Sequence, residues 1–585
     1  MSAVLAVTVL VFWLAFPGVL ALASLSAYRQ QKPACWILGS VLGLAVASVL
    51  QVIASYWYLS SFTTLWCGVS AVALVAWWRS GRGSLLARPS PHDLTLCCLL
   101  LTLAAVRIAF ILRNELPHGW DPSFHCLLAE NIFQNNAMVF DWRPFEDISL
   151  NYPVAGFIGI AWVKQLTGLD SHIVHKVLQA LHNVMTAATV FLLAARVGKS
   201  KELGLCSCAA FGFWALAGNL QYFIYGGFPN QLGMLYILAA YLFLTESPRP
   251  GPRKFYAAVL LAAVFLTHHH VLLSTFLVLG ILIVYDLFRG QKRRARDLLQ
   301  TIAGGALLCS FYLIPYALKI LTLGNTSVAT YPEGAYGPPA VVSLIGPLFL
   351  AACCYGIWLA KKRGFSDHER QLLAVIGCLV LLFVGLDWVA RYLRWLASGQ
   401  AFGLFTPWRF LCNATPFLAY FAGSACLNLG RKLHLSTYLC LIAISFASLT
   451  NLATYRELWE TNYSSDVIRA SRYLKENTPP DTIVLTPINW VPYLSQRRTA
   501  LSPLPSSEPS TRGTPKRQQI EALFRGELPS SGTGPMICDL RYGLEWPGSL
   551  ILWRDPQNTQ SPMVVLQIIR PEGIVPMTGW SLDPW

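Results

Sequence analysis

The sequence predicts an α-helical polytopic membrane protein with about fourteen transmembrane helices and a small C-terminal external α/β domain. Three observations predict this class. Of the 585 residues, 55% are hydrophobic and 12% are charged, which is about half the charged share of an average soluble domain. The mean hydropathy is +0.48. Apolar runs of roughly the length that a bilayer requires recur up to about residue 453.

Fourteen of these apolar runs are predicted as membrane spans. Their approximate ranges are 4–26, 35–57, 62–78, 92–112, 173–195, 203–222, 229–245, 255–267, 271–288, 298–318, 342–360, 372–390, 410–428 and 436–453. The first run has no basic segment ahead of it and further runs follow at once, so it is predicted as a retained span and not as a signal peptide. Run 255–267 is shorter than the ~20 residues of an upright span, which predicts helices cut by loops.

Clusters of basic residues between the runs predict the orientation. Seven clusters fall on one side of the bilayer if the N-terminus is outside: Arg29/Lys32, Arg79/Arg82/Arg88, Arg196/Lys199/Lys201, Arg249/Arg253/Lys254, Arg289/Lys292/Arg293/Arg294/Arg296, Lys361/Lys362/Arg363 and Arg431/Lys432. Because basic residues accumulate on the cytoplasmic side, these clusters are predicted to be cytoplasmic. The protein is predicted to be a multi-pass protein of the plasma (inner) membrane. These orientation signals account for much of the net charge of +15, so we exclude nucleic acid as a partner.

The chain divides into three predicted parts. Residues 1–91 hold additional N-terminal spans, residues 92–453 form a transmembrane core with a long external loop at 113–172, and residues 454–585 form the external domain. Within the loop, the apolar stretch 154–167 is short for a span and is predicted as an interfacial helix. The tail carries strand-like runs at 482–486 and 563–569 between Pro-, Ser-, Thr- and Gly-rich stretches, which predicts a small, partly irregular α/β fold.

A short polar stretch opens the long external loop: Gly119–Trp120–Asp121–Pro122–Ser123–Phe124–His125. Asp121 is predicted as a general base that takes the proton of an acceptor hydroxyl. His125 lies one helical turn further along the same face, so it is predicted to bind substrate. The alternative for Asp121 is structural, because Pro122 suits the first position of a helix that Asp121 would cap.

Further predicted substrate-binding residues lie in the external segments: Glu130, Tyr152, Asn230, His268, His269, His270 and Arg409. The three consecutive histidines cannot share one face of a helix, so a break in the chain is predicted there. They suit phosphate or sugar binding, a metal site or a polar helix cap. Arg409 can hold a phosphate with two parallel hydrogen bonds, or can anchor a helix end at the interface. A divalent cation is compatible with this set but not required by it.

The pattern resembles the GT-C class of membrane glycosyltransferases, which take sugars from polyprenyl phosphate or pyrophosphate. Asp121–Pro122–Ser123–Phe124–His125 resembles the Asp–Pro–x–x–His/Asn motif in the first external loop of oligosaccharyltransferase catalytic subunits. The stretch from Asn477 through Asn489–Trp490–Val491–Pro492–Tyr493 to Arg498 resembles the place of their Trp–Trp–Asp–Tyr–Gly motif. The resemblance covers roughly residues 92–500, and it implies a core of about eleven spans with three spans added before residue 92.

Two departures limit what the resemblance implies. The Trp–Trp–Asp–Tyr–Gly motif is not intact, and Phe228–Pro229–Asn230 stands where an acidic residue is expected in the second external loop. Peptide N-glycosylation and the usual metal site are therefore not implied. Only Asp121 is carried over as the base and His125 as a supporting residue.

The predicted function is a membrane glycosyltransferase that moves a sugar from a polyprenyl-phosphate-linked donor to an acceptor hydroxyl on the external face. The acceptor would be a lipid, a glycan or a protein. One rival is a transporter or lipid flippase without catalysis, although such proteins usually place ionisable groups at mid-membrane. Another rival is a surface-polysaccharide polymerase or ligase, which differs mainly in its donor.

Overall fold

The structure of the protein, a computed structural model, is dominated by helices. It describes residues 2–25, 32–80, 89–119, 121–143, 150, 152–245, 252–322, 342–343, 345–396, 407–451, 455–456, 465–486, 488, 490–499, 537–542, 549–554 and 563–568. The helices up to the end of the core are α1 (Ser2–Ala23), α2 (Lys32–Ser55), α3 (Ser61–Arg79), α4 (Pro91–Arg113), α5 (Asp121–Asn135), α6 (Ala155–Thr167), α7 (Ser171–Val197), α8 (Lys201–Trp214), α9 (Gln221–Tyr225), α10 (Phe228–Thr245), α11 (Pro252–Thr267), α12 (His269–Phe288), α13 (Lys292–Leu308), α14 (Ser310–Thr322), α15 (Pro347–Arg363), α16 (Asp367–Leu396), α17 (Pro407–Lys432) and α18 (Thr437–Ala447).

Every predicted span coincides with one of these helices or with a bent pair of them. Among the described residues, eight helices are long and apolar enough to cross a bilayer, or up to ten if each of two bent pairs is one span. Four predicted spans are outside this set. Of these, α11, α15 and α18 have 16, 17 and 11 residues, fewer than the ~20 of an upright span, and α16 lies only partly within the described side chains. The helical membrane class is confirmed, and the count of fourteen stays a prediction.

The bend between α8 and α9 is held by a buried arginine. Helix α8 meets the following segment, Leu216–Ile224, at 94°, and within that segment Ala217 and Gly218 have non-helical φ/ψ. Arg107 of α4 is fully buried. Its Nη2 donates to the carbonyl of Gly212 at 2.7 Å, and its Nε donates to Oδ1 of Asn183 at 2.9 Å. Because the last carbonyls of a helix lack intrahelical donors, this guanidinium satisfies the end of α8 where the span breaks.

The N-terminal helices cover the predicted interfacial helix, which is α6. Trp162 of α6 is fully buried, and its ring centroid lies 5.0 Å from that of Phe62 on α3 and 5.9 Å from that of Trp13 on α1. Its Nε1 donates to Thr63 Oγ1 at 3.0 Å. Helix α6 therefore has protein on the face that carries Trp162, and its interfacial placement stays a prediction.

The described part of the tail forms a mixed sheet with helix α19 (Ser465–Asn477) and the short helix α20 (Val491–Ser495). The strands are β1 (Ile483–Leu485), β2 (Arg498–Thr499), β3 (Ile537–Tyr542), β4 (Ser549–Arg554) and β5 (Met563–Ile568), in the order β2-β1-β3-β5-β4. Strands β2, β1 and β3 are parallel, and β5 is antiparallel to β3 and β4. Both predicted strand-like runs are confirmed, as β1 and β5. The Ser- and Pro-rich stretches at 502–515 and 528–536 lie outside the described residues.

The tail contacts the core through α20. The hydroxyl of Tyr493 accepts a hydrogen bond from the backbone N–H of His172 at 3.3 Å and lies 3.1 Å from its Nδ1. Beside it, Gln134 of α5 donates to Gln496 Oε1 at 3.2 Å. Helices α5 and α7 are therefore tied to the segment that resembles the oligosaccharyltransferase motif.

Ion pairs join helix ends that the basic clusters predict to share one side of the membrane. Lys201 at the start of α8 lies 3.2 Å from Asp93 near the start of α4. Arg289, directly after α12, lies 2.7 Å from Asp367 at the start of α16. The helix ends that carry the candidate site residues are the opposite ones, as the orientation map requires.

Reporter fusions test this map. A fusion after Arg294 and a fusion after Ser464 should report opposite sides of the membrane, with Ser464 external, because the basic clusters stay in the cytoplasm. A fusion after Lys201 is the control and should agree with the one after Arg294. Equal signals after Arg294 and Ser464 would contradict the orientation.

Candidate active site

Asp121 begins helix α5 and faces an arginine. Its Oδ2 lies 3.9 Å from Nη2 of Arg409 at the start of α17, and the two side chains are 31% and 12% exposed. Within the described residues, the Asp121 carboxylate contacts Arg409. These residues show no capping hydrogen bond from the Asp121 side chain to α5. Desolvation by the surrounding protein raises the pKa of Asp121, and the nearby guanidinium opposes that rise.

Arg409 also contacts the first histidine of the triplet. Its Nη1 lies 2.9 Å from Nε2 of His268, while Nδ1 of His268 accepts a hydrogen bond from the backbone N–H of His270 at 3.1 Å. Burial, the neighbouring His269 and then Arg409 lower the pKa of His268 well below its usual value, so the ring is neutral.

The neutral ring of His268 places two donors side by side. A neutral imidazole carries one N–H, and because Nδ1 is an acceptor, that hydrogen is on Nε2, next to the donating Nη1 of Arg409. An anionic oxygen beside both groups would accept from both and relieve this donor–donor contact. The geometry therefore suits an anion.

The histidine triplet is a break between two helices, as predicted. Helix α11 ends at Thr267, α12 begins at His269, and His268 between them is extended, with φ −161° and ψ 132°. The ring centroids of His268 and His269 lie 4.5 Å apart, as do those of His269 and His270. Tyr152 packs edge-on against the first two rings, at 5.2 and 5.6 Å. The structure thus brings Tyr152 and the triplet together, and Arg409 contacts this group at His268.

His125 occupies the next turn of α5 and pairs with a histidine that the sequence analysis did not single out. Its Nδ1 lies 3.2 Å from Nε2 of His175 on α7. Its ring is also 5.0 Å from that of Phe157, which in turn contacts Tyr152. Burial, His175 and then Arg409 lower the pKa of His125 well below its usual value. The signal that could have revealed His175 is an imidazole inside a predicted span, 173–195.

Lys176, the residue after His175, fixes the start of the loop 113–172. Its Nζ donates to the carbonyls of Ile111, Asn114 and Glu115 at 3.1, 2.6 and 2.9 Å. These carbonyls lie at the end of α4, where a helix has no donors of its own. One turn of α7 therefore holds both the loop that leads to Asp121 and the imidazole of His125.

A Gly–Gly turn, formed by Gly226 and Gly227 between α9 and α10, lies against the start of α5. Gly226 has φ +72°, and a Cβ there would lie 2.1 Å from Cδ of Pro122. Asn230 follows in the first turn of α10, is 2% exposed, and its Oδ1 has no hydrogen-bond partner among the described residues. The turn packs beside Asp121 because a glycine leaves room for Pro122.

Glu130 forms its contacts at a distance from Asp121, Arg409 and the histidine triplet. It lies nine residues after Asp121 on α5, about 13 Å along the helix at ~1.5 Å per residue. Its Oε2 is 2.8 Å from Lys164 Nζ and accepts from Ser171 Oγ at 3.3 Å. Trp120, Glu146 and Asp147 lie outside the described residues. Within the described residues, no group of three or more His, Cys, Asp or Glu side chains is placed to hold a metal ion.

Residues 11–424 match the family model described as a family of unknown function, DUF6541. The chain belongs to this family. No curated protein matches the chain.

Solved structures are similar in fold. ArnT from Cupriavidus metallidurans matches in the apo state with a TM-score of 0.54 and 13% identity over 82% of this chain and 99% of that chain. The same protein bound to undecaprenyl phosphate matches with a TM-score of 0.54 and 13% identity over 83% and 99%. The archaeal oligosaccharyltransferase AglB from Archaeoglobus fulgidus, in complex with an inhibitory peptide and a dolichol-phosphate, matches with a TM-score of 0.46 and 14% identity over 69% of this chain.

The likeness to AglB spans 64% of the length of that protein. The fold of this DUF6541 member is that of GT-C glycosyltransferases, which confirms the fold implied by the motif in loop 113–172.

Two glycines with the same backbone conformation test the contact beside Asp121. Gly226→Ala and Gly168→Ala both place a Cβ at positive φ, +72° and +68°, but nothing lies within 4 Å at Gly168. Both variants should lose the ~1–2 kcal/mol of a left-handed alanine, and Gly226→Ala should lose ~1–3 kcal/mol more through overpacking on Pro122. Denaturant unfolding in detergent measures the difference, and equal losses would contradict the close packing of the turn on α5.

Proposed function

We propose that this DUF6541 member is a membrane glycosyltransferase that moves a sugar from a polyprenyl-phosphate-linked donor to an acceptor hydroxyl on the external face. The observation that carries the proposal is the position of the Arg409 guanidinium between the carboxylate of Asp121 and the imidazole of His268. A base and a pair of anion-binding donors thus share one site, which is what transfer from a lipid phosphate requires.

Arg409 and His268 bind the phosphate of the donor in this proposal. The guanidinium offers donors in a fork that matches phosphate oxygens, and Nε2–H of His268 points to the same place. The fold likeness to ArnT, which has been solved with undecaprenyl phosphate bound, supports a prenyl phosphate as the ligand class. Tyr152 and the rings of His269 and His270 line the same side and provide aromatic surface beside the head group.

Binding of the donor phosphate would separate Arg409 from Asp121. The 3.9 Å between Oδ2 and Nη2 is a loose ion pair, and the phosphodiester of the donor, which carries one negative charge, competes with Asp121 for the guanidinium. Once the cation turns to the phosphate, it no longer lowers the pKa of Asp121, so the carboxylate becomes a stronger base. The donor therefore prepares the base for the second substrate.

The transfer step uses these groups in order. Asp121 accepts the proton of the acceptor hydroxyl while the hydroxyl oxygen forms a bond to the anomeric carbon of the sugar. The bond between that carbon and the phosphate oxygen breaks, and its electron pair leaves with the lipid phosphate. Arg409 and His268 stabilise the charge that develops on this leaving group. Attack opposite the leaving group inverts the anomeric centre.

The placement of the site on the external face and the role of the tail belong to the same proposal. The basic clusters support an external site because they lie at the opposite helix ends. Residues 454–585 would form an external domain that covers the acceptor side, since Tyr493 of α20 contacts α7 and Gln496, the residue after α20, contacts α5.

Asp121→Asn tests the base. The variant should fold and bind prenyl phosphate, yet transfer sugar ~10²–10⁴-fold more slowly, the usual cost of losing a general base. The measurement is the release of polyprenyl phosphate from sugar-linked polyprenyl phosphates in a lipid extract of the native membranes, followed by mass spectrometry.

Asp141→Asn is the matched control for this experiment. Asp141 lies in the same loop with a side chain that is 29% exposed and paired with Arg143, so its loss should leave transfer within about twofold of normal, as expected of an exposed ion pair. Near-normal turnover in Asp121→Asn would show that another carboxylate in the loop is the base.

Arg409→Ala tests the phosphate site. Undecaprenyl phosphate should bind ~10- to 100-fold more weakly, because a charge-assisted hydrogen bond contributes ~1.5–3 kcal/mol, and Arg409→Lys should restore only part of the affinity because the fork is lost. Titration of the purified protein with undecaprenyl phosphate in detergent gives the Kd. Arg289→Ala, at the opposite membrane face, is the control and should not change it; unchanged affinity in Arg409→Ala would make Arg409 an interfacial anchor.

A further inference from the structure

The pairing of His125 with His175 leaves one nitrogen of each ring to be accounted for. Nδ1 of His125 lies 3.2 Å from Nε2 of His175, so one of these two nitrogens carries the shared hydrogen. His175 is fully buried, and its other nitrogen, Nδ1, has no hydrogen-bond partner among the described residues. His125 keeps 5% of its surface exposed, and its other nitrogen, Nε2, lies on the ring edge away from His175.

The surroundings of His175 favour one of the two arrangements. If Nε2 of His175 accepted the hydrogen bond, its Nδ1 would have to carry a hydrogen with no acceptor. If Nε2 donates, Nδ1 keeps only an unused lone pair. Buried N–H groups without an acceptor are rarer in proteins than acceptors that are not used. His175 is therefore the donor, Nδ1 of His125 is the acceptor, and the hydrogen of the His125 ring is on Nε2.

We propose that His175 is a positioning residue that holds His125 in the Nε2–H tautomer, so that His125 becomes a third donor to the anion held by Arg409 and His268. The inference rests on the proposed function for the identity of the anion, a lipid phosphate. Both histidines of the site then obey the same rule: a hydrogen bond to Nδ1, from His270 in one case and from His175 in the other, places the hydrogen on Nε2.

The position of the three donors fits this role. His125 lies one turn after Asp121 on α5, and its ring packs against Phe157 at 5.0 Å. Phe157 contacts Tyr152 at 5.5 Å, and Tyr152 packs edge-on against His268 at 5.2 Å. A neutral ring adds directed hydrogen bonding to an anion without adding charge, so Asp121 beside it does not gain a second cationic partner. His175 sets this state from α7 through its hydrogen bond to His125, and it does not itself contact either substrate.

Substitutions of His175 separate a tautomer effect from a packing effect. His175→Gln keeps a donor, because the amide Nε2 can take the place of the imidazole Nε2, whereas His175→Leu removes it. His182→Leu is the matched control: His182 is also buried on α7 and also packs against Phe228, with both histidine rings 5.3 Å from that ring. It lies about two turns further along the helix from His125.

The experiment has two readouts on the purified full-length protein. Nitrogen-15 spectra of histidine-labelled protein report which ring nitrogen of His125 is protonated, with its signal assigned by its loss in His125→Asn. Titration with undecaprenyl phosphate gives the Kd. We expect Nε2–H in the wild type, in His175→Gln and in His182→Leu, and a mixture of tautomers in His175→Leu with a Kd raised about tenfold, the loss of one hydrogen bond to a charged group.

Two results would overturn the inference. A wild-type His125 protonated at Nδ1 would show that His175 is the acceptor, and an unchanged tautomer and Kd in His175→Leu would show that His175 only fills space. The proposed function fails separately: if the wild type shows Nε2–H but does not bind undecaprenyl phosphate, the tautomer is set as inferred and the anion is not a prenyl phosphate.

Discussion

The site depends on one interaction, which is the placement of the Arg409 guanidinium between the carboxylate of Asp121 and the imidazole of His268 inside the folded chain. Asp121 lies 3.9 Å away, and the nearer neighbour, His268, is a neutral ring 2.9 Å away. Taking a cation out of water costs free energy unless it is well paired. In the proposed function, the phosphate of the lipid donor is a further partner of this guanidinium.

Much of the surrounding structure keeps this arrangement in place. The α8–α9 bend leads to the Gly–Gly turn that packs against the start of α5. Within the bend, Gly218 has φ +71° and leaves room for the carbonyl of Cys412. Cys412 lies on α17, one turn after Arg409. Helix α7 contributes His175 and Lys176 from adjacent positions. Three segments far apart in sequence therefore set the positions of Asp121, His125 and Arg409. A small shift of any of these segments would move the side chains of the site.

The buried charge in the core does not favour the transporter alternative. A charged residue at depth in a span is often part of a transport pathway, and Arg107 is such a residue. Its Nη2 bonds the carbonyl of Gly212 in the last turn of α8 and its Nε bonds Asn183, which is a structural role at a broken helix. Arg409 and His268, which carry the proposed function, lie instead at helix ends and beside the carboxylate of Asp121.

The sequence predicted local features well and long-range contacts poorly. The break at His268 follows from three histidines that cannot share a helix face, and β1 and β5 follow from short β-branched runs. The pairing of Asp121 with Arg409, 288 positions later, is a matter of helix packing, which no local pattern encodes. His175 was missed because a histidine inside an apolar run is more often a satisfied core residue, and the role of Glu130 as an ion-pair partner depends on Lys164 from another helix.

A structure of the protein with undecaprenyl phosphate, determined by electron cryomicroscopy, tests the central claim most directly. The account predicts that the phosphate contacts the guanidinium of Arg409 and Nε2 of His268, and that Arg409 has moved away from Asp121. A lipid phosphate bound elsewhere, with the Asp121–Arg409 pair intact, would contradict it.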